Sequence, residues 1–221
     1  MFIDTELILA SGSPRRRELL ALGGWRFTVR AADLDESQHP GEPPQTYVRR
    51  LAESKARAVA QAVGAGVPVV AADTIVVDGQ DVLGKPGDEV EAFATLRRLR
   101  GRTHQVYTAV SVLEPGSGAQ LTELCCSDVP MRDYSDEEIY AYVATGDPFD
   151  KAGGYAIQHN GFRPVESLSG CYANVVGLPL CHLSRLLVKL GLAPQADLPG
   201  ACQAALSYAC PVYGRILQGE L

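Results

Sequence analysis

The sequence predicts an α/β fold with a mixed central β-sheet flanked by helices, and three observations support this prediction. Short apolar segments that are typical of strands alternate along the chain with segments of helical spacing. The 22 glycines and 14 prolines indicate many tight turns around a compact sheet. With 221 residues, 46% of them hydrophobic, the chain can bury a substantial core as one domain or as two small lobes.

The first half of the chain is predicted to form a strand, a helix, a second strand, a longer helix and a buried strand. Ser13 and Pro14 mark the first helix, because Ser caps free backbone N–H groups and Pro fits the first helical position. The longer helix is predicted from apolar residues at helical spacing, and the last strand from its β-branched residues. The predicted ranges are 7–11, 14–22, 26–33, 45–63 and 68–79.

The second half is predicted to form a helix, a β-hairpin, another helix, a glycine-rich loop, one or two strands and a further helix. Asp88 with Glu91, and Ser135 with Glu138, have the spacing of helix-capping pairs. The predicted ranges are 88–100 for the helix, 103–114 and 119–132 for the hairpin, 135–145 for the next helix, 150–162 for the loop, up to 177 for the strands, and 179–191 for the further helix.

The charge balance argues against several classes of partner. The chain has 20 basic and 26 acidic residues and a net charge of −6, which makes it a poor candidate for binding nucleic acid or an anionic membrane. No apolar run approaches the length of a membrane span, and Asp4 and Glu6 interrupt any secretion signal. We therefore expect a cytoplasmic protein.

The six cysteines include no C-x-x-C pair, which favours reduced, mostly buried thiols over zinc ligands.

A first candidate site is the segment Ser11-Gly12-Ser13-Pro14-Arg15-Arg16-Arg17, where a strand leads through a small loop into a helix. Free backbone N–H groups and the helix dipole favour an anion at such a position. Three arginines in the first helical turn oppose the dipole, which is understandable if a polyanion binds there. A solvated basic face explains the same pattern equally well.

A second candidate is Asp73, which lies among the apolar residues of the strand predicted over 68–79. A carboxylate in that position must be desolvated, paired or bound to a metal. Burial would raise its pKa toward the range of a general base. The structural alternative is an Asp that caps a turn, but the predicted turn comes later, at Asp78-Gly79. We favour the functional interpretation.

Two lysines and a glutamine complete the set of candidates. Lys85 ends a G-x-x-x-x-G-K segment, but Pro86 replaces the Ser or Thr of a phosphate-binding P-loop, so only a phosphate-contacting cation is predicted. Lys55 lies on the apolar stripe of its helix, from which its ammonium extends either to water or into a cleft. Gln158 follows Gly153-Gly154, where the backbone can approach a ligand closely, and its amide can read the edge of a base.

Seven segments in order resemble the Maf (septum-formation inhibitor) family of nucleoside triphosphate pyrophosphatases. They are LASGSPRR, AESKA, AADTIVV, GKP, GRTHQVYTAV, DKAGGYAIQ and YANVVGLPL, and the resemblance covers about 7–192. It implies an elongated two-lobed sandwich with a substrate cleft between the lobes. It also implies hydrolysis of a nucleoside triphosphate to the monophosphate and pyrophosphate. The predicted organisation is a Maf-like domain over 1–192 and a C-terminal extension of unknown role over 193–221.

The resemblance also implies roles for individual residues. Asp73 would be the catalytic carboxylate, and Glu36 with Asp73 would hold a divalent cation, Mg²⁺ or Mn²⁺. Lys151 is expected near the site. The residues implied to line the triphosphate site are Ser11, Arg15, Arg16, Lys55 and Lys85, and those implied to set specificity, as in the dTTP/UTP branch, are Arg15, Thr74 and Gln158.

Three functions remain open at this stage. They are house-cleaning hydrolysis of dTTP and UTP, the same chemistry on a modified or purine triphosphate such as methylated GTP, and a nucleotide-binding regulator of cell division with little turnover. His159-Asn160 departs from the branch's pattern after Gln158. The tail has no counterpart in the family, and a short helix beginning at Pro199 is expected either to cover the core or to contribute to a homodimer interface.

Overall fold

The computed structural model of the protein describes residues 6–64 and 66–220. Asp4, which contributes to the expectation about a secretion signal, lies outside the described residues. The long strands β3 and β5 lie close to their predicted ranges, whereas β2 ends four residues earlier than predicted. The strands are β1 Glu6–Leu9, β2 Arg26–Val29, β3 Val69–Asp78, β4 Asp81–Leu83, β5 Thr103–Glu114 and β6 Ala119–Pro130.

The helices begin where the capping residues predict. The Ser135 hydroxyl and the Glu138 carboxylate cap each other's backbone N–H groups at the start of α4, and the Ser13 hydroxyl accepts from Arg16 at the start of α1. Among the described residues, none of the helices combines the length and apolar character needed to cross a membrane. The helices are α1 Pro14–Ala21, α2 Pro44–Val63, α3 Glu89–Leu99, α4 Asp136–Val143, α5 Tyr172–Val176, α6 Leu180–Lys189, α7 Leu198–Leu206 and α8 Tyr213–Gln218.

The six strands form one mixed sheet in the order β2-β1-β3-β5-β6, with β4 paired to β3. Strand β1 is parallel to β2 and β3, whereas β3, β5 and β6 pair antiparallel, which confirms the predicted mixed sheet. The register places Asp73 opposite Ala109 and Thr74 opposite Thr108. Because alternate residues of a strand point to opposite faces, Asp73 and Thr74 are presented on different faces of the sheet.

Helices cover both faces of the sheet, and the strands alternate accordingly. Leu7 and Leu9 pack with α1 and α6, whereas Ile8 between them packs with α2. On the α6 face, the apolar residues form two separate clusters rather than one. The first cluster lies at the end of the sheet that carries Leu7 and Leu9. In the second cluster, residues of α3 and α4 pack against the other end of the sheet. These two clusters are the cores of the two predicted lobes.

A row of polar side chains separates the two clusters. On three neighbouring strands, Thr74, Thr108 and Ser127 occupy positions between the two groups of apolar residues. Asn174 of α5 joins the row: its side-chain amide nitrogen donates to Ser127 Oγ at 2.9 Å, and its backbone carbonyl accepts from Thr108 Oγ1 at 2.9 Å. Thr74 Oγ1 and Thr108 Oγ1 are 2.9 Å apart. We call these four residues the polar row.

The prediction of one or two strands before residue 177 is wrong. In this stretch the structure has a single isolated bridge, Met131 to Val165, followed by the short helix α5. Pro164 has no N–H to donate to a ladder, so only isolated backbone bonds form beside β6, such as Glu166 N–H to the Pro130 carbonyl. The chain then turns inward, where Asn174 is fully buried.

The C-terminal tail covers the first apolar cluster. Helix α7 begins at Leu198 with Asp197 as its cap, close to the predicted start at Pro199, and α8 was not predicted. Leu198 and Ile216 are buried in the cluster. The Tyr208 hydroxyl donates to the carbonyls of Leu168 and Gly170, at 2.7 and 3.0 Å. Of the two alternatives expected for the tail, covering the core is the one that these contacts favour.

Candidate active site

A cavity of about 600 Å³ opens beside Thr74, at the boundary between the two apolar clusters. This volume is typical of pockets for small organic ligands. Its lining comes from the β1–α1 loop, α2, the centre of β3, the segment after β4, and the loop that follows Asp150. The structure brings together every site residue named from the sequence: Ser11, Arg15, Arg16, Glu36, Lys55, Asp73, Thr74, Lys85, Lys151 and Gln158.

On the opposite face of β3 from Thr74, a buried carboxylate and a buried ammonium also line the cavity. Asp73 lies in the middle of β3 with 6% of its surface exposed, so the turn-capping alternative is wrong. Lys55 is 8% exposed, and its Nζ lies 2.6 Å from Asp73 Oδ1, so its ammonium points into the cleft rather than to water. Nζ also lies 3.0 Å from Glu36 Oε1. Burial raises the pKa of Asp73 despite the opposing effect of Lys55.

Arg16 reaches the cavity with its guanidinium held entirely by neutral groups. It donates from Nε to the Gly177 carbonyl at 2.8 Å, from Nη2 to Thr74 Oγ1 at 3.0 Å, and from Nη1 to Ser11 Oγ at 3.3 Å. Burial lowers the pKa of Arg16, yet a guanidinium stays protonated in proteins. These hydrogen bonds fix its orientation without neutralising it, so the full charge is offered to an anion.

Arg15 and Lys151 are bound differently, because both contact carboxylates. Arg15 Nη1 lies 3.2 Å from Asp150 Oδ2. Lys151 Nζ contacts Asp150 Oδ1 at 2.5 Å, Asp147 Oδ1 at 2.8 Å and the Asp147 carbonyl at 2.6 Å. Lys151 thus lies at the cavity as expected, but its ammonium is engaged by its own segment.

Lys85 and Gln158 have side chains that are free to bind a ligand. Both are exposed at the cavity, and within residues 6–64 and 66–220 neither has a hydrogen bond or ion pair from its side chain. The segment of Lys85 follows the β3–β4 hairpin and does not enter a helix, in agreement with the rejection of a P-loop. Within the described residues, Lys85 therefore adds a positive charge without an ion-pair partner and Gln158 an unengaged amide.

The glycines of the 150–162 loop serve the protein's own packing. Gly153 has φ +70°, and a Cβ there would lie 2.9 Å from the methyl groups of Val76. Its N–H donates to the Gly84 carbonyl at 2.9 Å, which connects this loop to the segment that carries Lys85. Neither Gly153 nor Gly154 lines the cavity, and the close approach that the structure shows is to Val76 and Pro86.

Sequence reasoning missed several residues that support the site. Asp150 begins the DKAGGYAIQ segment, but no local pattern predicts its contact with Arg15. The Tyr47 hydroxyl donates to the Glu36 backbone carbonyl at 2.7 Å and anchors the loop of Glu36. Thr108 contacts the Thr74 hydroxyl and in turn donates to the Asn174 backbone carbonyl. A row of polar residues in otherwise apolar strands was the available signal for Thr108.

Comparisons with known proteins agree in pointing to one family. The family described as Maf-like protein matches residues 6–190. The chain is 50% identical over 187 residues to a protein of Anaeromyxobacter dehalogenans (strain 2CP-1) named dTTP/UTP pyrophosphatase, with 84% of this chain and 94% of the relative covered. Proteins of the same name from Myxococcus xanthus (strain DK1622) and Hahella chejuensis (strain KCTC 2396) are 49% and 46% identical, with 86% of this chain covered and 94% and 95% of theirs.

Among solved structures, a nucleoside-triphosphatase / dITP/XTP pyrophosphatase from Mycobacterium abscessus aligns over 98% of both chains with a TM-score of 0.45 and 15% identity. That likeness is too distant to support an argument about the site. The family match, by contrast, spans most of the chain and includes every residue that lines the cavity. This chain belongs to the Maf family.

Proposed function

We propose that the protein hydrolyses dTTP and UTP to the nucleoside monophosphate and pyrophosphate, as a house-cleaning enzyme of nucleotide pools. One observation carries the proposal: the cavity combines a buried carboxylate of raised pKa, Asp73, with a wall of cationic side chains. The substrates are suggested by the names of the relatives, which are 43–50% identical to this chain. The carboxylate supplies a base and the cations supply a site for a polyphosphate.

Binding of the triphosphate is assigned to cations from three separate segments. Arg15 and Arg16 come from α1, Lys55 from α2 and Lys85 from the segment after β4. A triphosphate brings about four negative charges, and cations on several sides hold such a chain in line for attack. Because the protein has a net charge of −6, this local concentration of positive charge is needed to offset the repulsive overall field.

Asp73 is assigned the role of proton acceptor for the attacking water. A carboxylate is a better base when its pKa is raised, and burial raises the pKa of Asp73. Lys55 holds Oδ1 at 2.6 Å and so fixes the orientation of the carboxylate in the cavity. Lys55 is therefore a positioning residue as well as a cation of the site.

Glu36 and Asp73 are the candidates to hold a divalent cation. Both carboxylates face the same ammonium, at 3.0 and 2.6 Å, so they lie side by side at the cavity. In the described part of the chain no three His, Cys, Asp or Glu side chains are arranged to hold a metal. Two carboxylates nevertheless fit Mg²⁺ or Mn²⁺, which bind protein through one or two carboxylates and complete their shell with phosphates and water. When bound, such a cation polarises the phosphoryl group.

Gln158 is the residue proposed to read the base. Its amide offers both a donor and an acceptor, as a thymine or uracil edge requires, and it is unengaged within the described residues. The Thr74 hydroxyl, by contrast, already contacts Arg16 and Thr108. Thr74 is therefore assigned to positioning Arg16, and Arg15 to phosphate binding.

A panel of nucleoside triphosphates with Mg²⁺, including methylated GTP, tests the proposal when pyrophosphate and orthophosphate are measured separately. We expect pyrophosphate release with the highest kcat/KM for dTTP and UTP. Release of orthophosphate would contradict the pyrophosphatase mechanism, and a preference for a purine would contradict the substrate assignment. Absence of turnover with every nucleotide would favour a binding protein.

A further inference from the structure

An acidic side chain of the cavity lining contacts Arg15. Asp150 ends the short turn that precedes the glycine-rich loop, and it lies 135 residues after Arg15 in the sequence. Its Oδ2 is 3.2 Å from Arg15 Nη1, and its side chain is 62% exposed. Both residues line the cavity. The Asp150 carboxylate thus contacts the Arg15 guanidinium, which the phosphate of a ligand would also contact.

The segment that carries Asp150 keeps a net negative charge. Asp147 and Asp150 both contact the single ammonium of Lys151, so two carboxylates face one cation. The segment is also held in place, because Asp147 accepts from the Tyr142 hydroxyl at 2.5 Å and that hydroxyl accepts from the Ala156 N–H at 3.0 Å. These contacts hold Asp150 in place beside Arg15. The segment also carries one more carboxylate than the Lys151 ammonium can neutralise.

The two neighbouring arginines differ in what an anion must displace. Arg16 is held by the Gly177 carbonyl and by two hydroxyl groups, none of which carries charge. Arg15 contacts a carboxylate instead. A phosphate that binds Arg16 replaces hydrogen bonds to neutral groups, whereas a phosphate that binds Arg15 competes with the Asp150 carboxylate.

We propose that Asp150 determines specificity for the triphosphate chain by competing with ligand phosphates for Arg15. This inference rests on the proposed hydrolysis of nucleoside triphosphates at the same site. The ion pair is exposed enough to be weak, so a ligand with several phosphate charges displaces Asp150. A ligand with fewer charges gains less from the displacement, and it also meets the repulsion of the carboxylate. Asp150 therefore favours retention of the triphosphate and release of the products.

The sign of the effect distinguishes this role from ordinary support of Arg15. If Asp150 competes with phosphate, its neutralisation strengthens the binding of a product. If Asp150 instead orients Arg15 for the ligand, its neutralisation weakens binding. Inorganic pyrophosphate is the suitable probe, because it is the smallest product with more than one phosphate and it lacks the base.

The experiment is a calorimetric titration of pyrophosphate, with excess Mg²⁺, into the wild-type protein and the Asp150→Asn variant. We expect the Kd to fall about two- to fivefold in the variant, which is the upper part of the range of an exposed ion pair. In an Arg15→Ala background, Asp150→Asn should change the Kd less than about twofold, since the competition is gone. Asp133→Asn is the matched control, because Asp133 is exposed and does not line the cavity.

An unchanged or higher Kd in Asp150→Asn would overturn the inference, and so would an absence of pyrophosphate binding to every variant. Asp150→Ala, tested beside it and checked by its Tm, separates loss of charge from loss of folding. An equal fall in Kd with and without Arg15 would also overturn it, because Arg15 would then play no part. Should the wild type bind pyrophosphate but release none from any nucleotide, the proposed function fails while this result still decides the role of Asp150.

Discussion

Replacing Asp73 with Asn removes the charge of the buried carboxylate and keeps its volume and its ability to accept from Lys55. Loss of a positioned proton acceptor lowers turnover by about 10²–10⁴-fold. The triphosphate should still bind, because Arg15, Arg16 and Lys85 are unchanged. We expect kcat for pyrophosphate release to fall by this factor while the nucleotide Kd, measured by calorimetry, changes little.

The same substitution should leave the protein equally or more stable. The pKa of Asp73 is raised in the folded protein because burial outweighs the attraction of Lys55, so its ionised form destabilises the fold. A charge retained for function typically costs about 0.5–2 kcal/mol, or roughly 1–8 °C in Tm for a chain of this size. A raised carboxyl pKa adds stability at low pH that is lost as pH rises through the folded value. The difference in free energy of unfolding between Asp73→Asn and the wild type should therefore grow with pH. Urea unfolding at pH 5 and at pH 8 measures this difference.

Asp78→Asn is the matched control on the same strand. Asp78 is also buried, but its carboxylate contacts Arg98 at 2.7 Å and Arg102 at 3.1 Å, and it lies outside the cavity lining. We expect this variant to lose about 1–3 kcal/mol of stability while the folded molecules keep their kcat. An Asp73→Asn protein that is nearly fully active would refute the catalytic assignment, and one that is clearly less stable would refute the reasoning from burial.

Three further predictions concern other parts of the molecule. Gln158→Ala should reduce discrimination among bases by about 1–3 kcal/mol with little loss of phosphate affinity, and unchanged relative kcat/KM values across the nucleotide panel would contradict it. Deleting 195–221 uncovers the first apolar cluster by removing the buried Leu198 and Ile216, so urea unfolding should show a loss of several kcal/mol. Burial lowers the pKa of His104 to about 4, so stability should decline as pH falls from about 6.5 toward 4, and His104→Gln should weaken that decline.

Periodicity and capping residues were sufficient to predict most of the elements. Strand β3 and helix α2 follow from long runs with a clear period, and their bounds agree with the prediction within one residue. The failure before residue 177 has a local cause: apolar residues there suggested strands, but Pro164 and the inward turn to Asn174 leave no ladder partner. Helix α8 was missed because six residues give too short a pattern.

Site residues could be predicted where their polarity differed from that of the neighbouring residues in the sequence. Asp73 was conspicuous as a charge within an apolar strand, and the resemblance added the other lining residues. The direction of Lys55 could not be predicted, because helical spacing places it on the buried stripe whichever way its ammonium points. The contact between Arg15 and Asp150 depends on how two distant segments meet, and no local pattern encodes that distance.

The polar row has a consequence for how the two ends of the molecule move. Thr74, Thr108, Ser127 and Asn174 interrupt the side-chain packing but leave the backbone ladders of the long strands continuous. A small bend across the row would exchange hydrogen bonds between these groups for hydrogen bonds to water, at about 0.5–1.5 kcal/mol each, without exposing either apolar cluster. The polar row is therefore where the sheet can bend at the least cost in buried apolar surface, and a bend there would change the width of the cavity beside Thr74.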